Sequence, residues 1–264
     1  MPFDKFVGNS AVCKLGHSYD KSRDGYYNFL PPMKSSNHGD NREMVLARRD
    51  FLNTGAYLPL ANAISRIVLE QTNQISNPTI LDIGCGEGYY TKAVCDLLSE
   101  KQILNTISAF DISKDAVRMC AKRVRAGEFC VASAYHIPIA DNSIDIALNT
   151  FSPLALSETV RVLKRGGIFV MTIPAEEHLF ELKSVLYETP YKNEVADFFL
   201  EGLTLLRSER LEYTVELDTK EKISSLFKMT PYAYRTKKSD ADRLFSLESL
   251  SVRASFIITL YKKI

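Results

Sequence analysis

The sequence predicts an α/β fold: a doubly wound, mostly parallel sheet of seven strands with helices on both faces and a small cap at its amino-terminal end. Three observations carry this. Short apolar runs alternate with helical stretches from Thr79 onward, the pattern of βαβ units. The first run, Thr79-Ile80-Leu81-Asp82-Ile83, leads straight into a glycine-rich turn, Gly84-Cys85-Gly86-Glu87-Gly88. The last third changes to two strand-like stretches, 211–217 and 252–261, which suit an antiparallel pair closing the sheet.

Each element follows in turn. The first forty residues are rich in Gly, Pro, Ser, Asn and Asp and read as a loop-dominated cap. In 42–52, Met44, Leu46, Ala47 and Phe51 form an apolar stripe between charges, so a helix is expected. A second helix is expected over 58–69, with Pro59 tolerated near its start. Residues 71–78 are polar and read as a linker. After the strand 79–83 come a helix over 89–98, a strand over 106–110, and a helix over 114–124 with Ser113 as its N-cap. Strands are expected at 128–132, 143–148 and 168–173, and helices at 157–163, 178–187 and 220–227. The division expected is a cap over 1–40, a helical region over 41–77 and a main domain over 78–264.

Composition narrows the function classes. With 264 residues, 45% hydrophobic and 25% charged, the chain is an ordinary globular protein. No apolar stretch is long enough to span a bilayer, and Met1-Pro2-Phe3-Asp4-Lys5 lacks the apolar core of a signal peptide, so a cytoplasmic protein is expected. The net charge is +1, which neither announces nor excludes a nucleic-acid partner. Between Lys14 and Arg49 seven basic residues face four acidic ones, an excess that a solvated face explains about as well as a binding surface. Five widely spaced cysteines, an odd number, point to reduced thiols.

The glycine turn holds most of the chemical information. Glycines at 84, 86 and 88 let the backbone turn tightly and let a ligand approach without Cβ clashes. The next helix aims its first amides at that ligand. The spacing is Gly-x-Gly-x-Gly, not the Gly-x-Gly-x-x-Gly of dinucleotide sites. Asp82 precedes the turn, and Asp111 ends the second strand, where a carboxylate can accept both ribose hydroxyls. The Glu87 charge would repel a pyrophosphate and suits a ligand bearing an amino group and a sulfonium.

This arrangement resembles the S-adenosylmethionine site of class I methyltransferases, whose fold is Rossmann-like. Residues 137–145 and Val162-Leu163-Lys164-Arg165-Gly166-Gly167 resemble later segments of that superfamily. Other stretches resemble the bacterial 23S ribosomal RNA guanine-N1 methyltransferases: Gly25-Tyr26-Tyr27-Asn28-Phe29-Leu30-Pro31, Ala47-Arg48-Arg49-Asp50-Phe51-Leu52, Gly55-x-Tyr57-x-Pro59-Leu60, Pro174-x-x-x-His178-Leu179 and Met229-Thr230-Pro231-Tyr232-Ala233-Tyr234-Arg235.

The resemblance implies methyl transfer from S-adenosylmethionine to N1 of a guanine in a hairpin loop of 23S rRNA. It also implies donor contacts at Tyr57, Gly86, Glu87 and His178, beside Asp82, Gly84 and Gly88 at the turn and Asp111 at the end of the second strand. Read from the residues alone, Tyr57 is equally a core tyrosine and His178 equally a helix cap. Asn149 and Phe151, after the fourth strand, are expected to wall the acceptor pocket, and Lys34, Arg42, Arg48 and Arg49 to meet phosphates or solvent. No residue is assigned as catalytic base. Family members are often dimeric, so a homodimer is one expectation; no membrane partner is expected.

The family also carries an amino-terminal zinc module, of which Cys13-Lys14-Leu15-Gly16-His17 matches the second half only. Two ligands do not complete a tetrahedral site. The sequence therefore reads either as a chain without zinc or as one whose start lies upstream of Met1, and no metal is expected. Two other readings stay open: a methyltransferase of quinone- or lipid-like small molecules, and a non-catalytic RNA-binding relic of the fold.

Overall fold

The structure is a computed structural model that describes residues 3–7, 9–13, 16–31, 39–73 and 75–264. Among the described residues the cap contributes four short strands: β1 (Phe3–Val7), β2 (Ser10–Cys13), β3 (Ser18–Asp20) and β4 (Tyr26–Asn28). The first three form a small antiparallel sheet. Helix α1 (Arg42–Asn53) follows, started by Asn41, whose side chain accepts the Met44 N–H. Helix α2 (Leu58–Thr72) has Pro59 in its first turn, where no donor is lost, and runs two residues into the expected linker.

The core then builds by alternation: β5 (Thr79–Ile83), α3 (Tyr89–Glu100), β6 (Thr106–Asp111), α4 (Lys114–Val124), β7 (Glu128–Val131), β8 (Ile144–Thr150), α5 (Leu156–Val162), β9 (Leu163–Pro174) and α6 (Phe180–Leu186). The expected cap holds on α4, where the Ser113 hydroxyl accepts the Ala116 N–H. Strand β9 starts five residues earlier than expected, because Leu163 already pairs with Ile144 before the register shifts across Gly166-Gly167. The chain ends in β10 (Leu203–Leu217), α7 (Lys220–Met229), a 3-10 turn (Pro231–Tyr234), α8 (Lys238–Phe245) and β11 (Leu250–Lys263). The 3-10 turn and α8 were not expected from the sequence pattern.

The strand order is β10-β11-β9-β8-β5-β6-β7-β4. The fold class is the expected one, with eight strands instead of seven. The extra strand is β4, which leaves the cap to pair in parallel with β7, Tyr27 against Cys130. That edge was open, and the apolar Tyr26-Tyr27 pair is buried against it.

Strand β5 pairs on one side with β6 and on the other with β8, so successive crossovers leave it in opposite directions. Ligands in such sheets bind at this reversal, beyond the carboxyl ends of the strands. Both faces of β5 are covered: Ile80 packs in one apolar cluster with Leu60 and Ile64 of α2, and Leu81 and Ile83 in the opposite one with Val162 and Phe169. That explains its unbroken apolar run. Strand β11 runs antiparallel to β9, with Phe256 opposite Pro174. Its early residues therefore lie at the edge where the parallel strands end. Among the described residues, no helix is long and apolar enough to cross a membrane.

Candidate functional site

The glycine bend joins β5 to α3 at the reversal. Gly84 and Cys85 both donate their N–H to the Phe110 carbonyl, which ties the bend to the end of β6. The next residue of β6 is Asp111, and its carboxylate faces the bend. Oδ2 accepts the Gly86 N–H at 3.0 Å and Oδ1 the Ser113 N–H at 2.8 Å. Burial pushes the Asp111 carboxyl up, while the two amides and the Arg48 guanidinium hold it down. Each oxygen uses one of its two acceptor positions on the backbone and keeps another for a ligand hydroxyl.

Asp82 lies beneath the bend, almost wholly buried, and accepts the Thr91 hydroxyl at 2.5 Å. Burial raises its carboxyl to about 6 against that hydrogen bond. Glu87 is only 1% exposed and its carboxylate meets Arg123 of α4, with Nε 2.8 Å from Oε2. The contact is charged but misaligned, and neither Glu87 oxygen receives a well-formed hydrogen bond. Burial raises the Glu87 carboxyl; Arg123, Arg48 and Arg49 oppose it. A buried carboxylate without a hydrogen-bond donor beside a glycine bend fits a ligand that brings a positive group.

Tyr57 and His178 are expected to share a ligand, and the structure brings them together across 121 residues of chain. The Ser255 N–H points to His178 Nδ1 at 3.3 Å, so Nδ1 is the acceptor and the proton sits on Nε2. Nε2 in turn lies 3.3 Å from the Tyr57 hydroxyl and donates to it. The tyrosine proton is therefore free for another acceptor. Burial raises the Tyr57 hydroxyl well above its ordinary range, so it stays neutral. Burial, with Lys183 adding to it, drops His178 to about 3.

A stability consequence follows. A histidine neutral in the fold and ionisable when unfolded contributes fully above pH 6.5, and loses that contribution as pH falls towards 3. Wild type should lose about 1 kcal/mol more than His178→Gln between pH 7 and pH 5.5 in urea unfolding. Equal losses would mean that the fold accepts a protonated His178.

An aromatic layer connects this pair to the bend. Phe256 of β11 packs on Tyr57, His178 and Phe151, at centroid distances of 5.1, 4.7 and 5.6 Å, and Phe151 reaches Tyr90 at 6.2 Å. Next to Phe151, Ser152 packs against Gly84, leaving no room there for a Cβ. Phe151 has a φ of +58° and is 41% exposed, an unusual backbone for an aromatic residue and one that holds its ring at the rim. Asn149 is buried, with its Nδ2 donating to the Pro153 carbonyl at 3.3 Å.

Sequence reasoning missed Ser255 and Phe256, which no local motif marks, and Tyr90. It also set Arg48 among surface cations, whereas the structure places its guanidinium beside Gly86, paired with Asp40. Of the other three, Arg42 is exposed, Arg49 binds Asp50, and Lys34 lies outside the described residues. Asp145 is far from the bend, at the start of β8, bound to Thr79 and Lys164. In the cap, Cys13 Sγ and His17 Nδ1 are 3.3 Å apart. Among the described residues no group of three or more potential ligands is placed to hold a metal, so those residues do not fit a complete zinc site.

Residues 81–171 match the family model described as "Methyltransferase domain". A protein of Bacillus subtilis (strain 168), provisionally named 23S rRNA (guanine-N(1)-)-methyltransferase YxjB, is 31% identical over 98% of this chain and 93% of its own. The 23S rRNA (guanine(748)-N(1))-methyltransferase of Streptomyces fradiae is 29% identical over 78% of this chain and 74% of its own. A crystal structure from Bacillus halodurans C-125, provisionally named a methyltransferase, superposes with a TM-score of 0.52 at 15% identity, covering 76% of this chain and 99% of that one. That likeness shows the fold.

Proposed function

Because the chain belongs to the bacterial 23S rRNA guanine-N1 methyltransferase family, with S-adenosylmethionine as methyl donor, we propose that it methylates N1 of a guanine in a hairpin loop of 23S rRNA. One observation carries this reading: the likeness to the Bacillus subtilis relative extends over the cap and the carboxy-terminal segments, not only the donor-binding core. Two such segments touch in the structure, where Arg48 Nη2 points to the Met229 carbonyl at 3.5 Å.

In this reading Asp111 holds the donor ribose, and the bend with Tyr57 and His178 holds the amino-acid end. The buried carboxylates Asp82 and Glu87 favour its positive groups. The bound sulfonium supplies the methyl group. The chain's own work is alignment, worth up to ~7–11 kcal/mol in favourable cases. A guanine must leave its stack to reach a buried site. The exposed ring of Phe151 offers a stacking surface, and Asn149 Oδ1 a hydrogen-bond acceptor for the guanine N1–H, whose proton leaves to water as the methyl group is transferred. No carboxylate or imidazole is assigned as base: Asp145 is remote, and the Nδ1 lone pair of His178 is used by Ser255. We assign the cap, residues 1–40, to RNA contact, in a cytoplasmic enzyme.

The test is incubation with radiolabelled S-adenosylmethionine and either rRNA lacking its methyl groups or a small-metabolite extract. Label on guanine N1 is expected. Label only on metabolites would favour a small-molecule methyltransferase, and donor binding without transfer a non-catalytic relic. Phe151→Ala should lower kcat/KM on RNA by about 10- to 100-fold, the worth of one stacked base, with donor affinity within about threefold. An unchanged kcat/KM would remove Phe151 from the acceptor pocket.

A further inference from the structure

We propose that Arg48 binds the carboxylate of the donor's amino-acid end, exchanging its present partner Asp40 for it. The inference rests on S-adenosylmethionine being the donor and is independent of the RNA target.

Three observations point there. The first is position: Arg48 Nη1 lies 4.0 Å from where a Cβ on Gly86 would stand, and Gly86 is the residue whose N–H holds Asp111. The guanidinium therefore reaches over the open side of the bend. The second is charge. Asp40, Asp82, Glu87 and Asp111 gather at this end of the sheet. The donor carries two positive groups, sulfonium and ammonium, and one carboxylate. The acids suit the first two and repel the third unless a cation meets it.

The third is availability. Arg123 is held by the buried Glu87 and by Asn53, and Arg49 by Asp50. The Arg48–Asp40 pair is at the rim, with side chains 29% and 31% exposed, so water can take over Asp40 when the guanidinium turns to another carboxylate. A planar guanidinium matches a carboxylate with two parallel hydrogen bonds. Arg48 also ties this site to its surroundings: Nη2 points to the Met229 carbonyl, and the Asp40 carbonyl accepts the Ser113 hydroxyl at 2.8 Å, two residues after Asp111. Donor binding would thus be felt by α1, by the segment after α7 and by the end of the cap.

The test compares two ligands by calorimetry. S-adenosylhomocysteine has the amino-acid end; 5′-methylthioadenosine has the same nucleoside without it. Arg48→Ala should weaken S-adenosylhomocysteine by about 10- to 100-fold, as loss of a charged hydrogen-bonding partner does, and leave methylthioadenosine within about threefold. Arg48→Lys should restore part of the loss. Asp40→Asn should bind S-adenosylhomocysteine at least as well as wild type, since the competing partner is weakened. Equal loss of both ligands in Arg48→Ala would make Arg48 a structural support and overturn the proposal, as would no loss of either. Failure of wild type to bind S-adenosylhomocysteine would overturn the donor assignment and this proposal with it.

Discussion

Asp111→Ala should raise the dissociation constant for S-adenosylhomocysteine by about 100-fold or more. The carboxylate does two things at once. It accepts the Gly86 and Ser113 amides, which fixes the bend against β6, and in the proposed donor site it presents its remaining acceptor positions to the ribose. Each hydrogen bond to a charged group is worth roughly 1.5–3 kcal/mol, so two lost ribose bonds alone account for about 10²–10⁴ in affinity. Asp111→Asn keeps the size and one acceptor oxygen and should lose less. Circular dichroism of both variants checks that the fold persists. An alanine variant that binds within threefold of wild type would show that the ribose is held elsewhere, and the donor site with it.

Gly88→Ala should cost about 2–4 kcal/mol of stability and lower the melting temperature by roughly 4–15 °C. Gly88 precedes α3 with φ at +87°, where an L side chain is strained by roughly 1–2 kcal/mol. Its Cβ would also stand 2.8 Å from Cys120 Sγ and 3.0 Å from Cys120 Cα. Cys120 is fully buried in α4, so the backbone there has nowhere to move. The close approach of α3 and α4 beneath the bend thus depends on a missing side chain. Gly86→Ala is the comparison: its φ is +55°, but the nearest atom to its Cβ is the movable end of Arg48 at 4.0 Å. It should destabilise clearly less, by thermal melting. If the two variants melt together, the close packing at Gly88 is not what matters.

The bend was legible because everything that defines it is local. A buried strand, three glycines and a helix follow one another within 22 residues, and their periodicities and spacing are visible in the chain. Asp111 was legible for a related reason: in a βαβ unit the next strand ends beside the first turn, so an acid at its tip must face the bend. Tyr57 and His178 are different. The residues alone allow a core tyrosine and a capping histidine, and the family resemblance puts both in the donor pocket. The structure shows a buried tyrosine bonded to a histidine; the cap position of α6 is Leu179, and the His178 ring bonds to Tyr57 and Ser255 instead. Arg48 reads from the sequence as either a phosphate contact or a solvated charge, because a cation on a helix carries no mark of its partner. Asp40, Gly86 and Met229 became its neighbours only through folding.

From the order of its residues alone, this chain specifies a mostly parallel sheet and a turn whose glycines and acids suit a nucleoside with a positive tail. Those depend on periodicity and on glycine conformation, which act over a few residues. The wall of aromatic rings, the tautomer of His178, the eighth strand donated by the cap and the turning of Arg48 toward the bend arise from long-range packing. They depend on β11 running antiparallel beside β9, and on α1 packing near the segment after α7. Such contacts join residues far apart in the chain, as Phe256 with Pro174 and Arg48 with Met229, and no local pattern encodes which ones will meet.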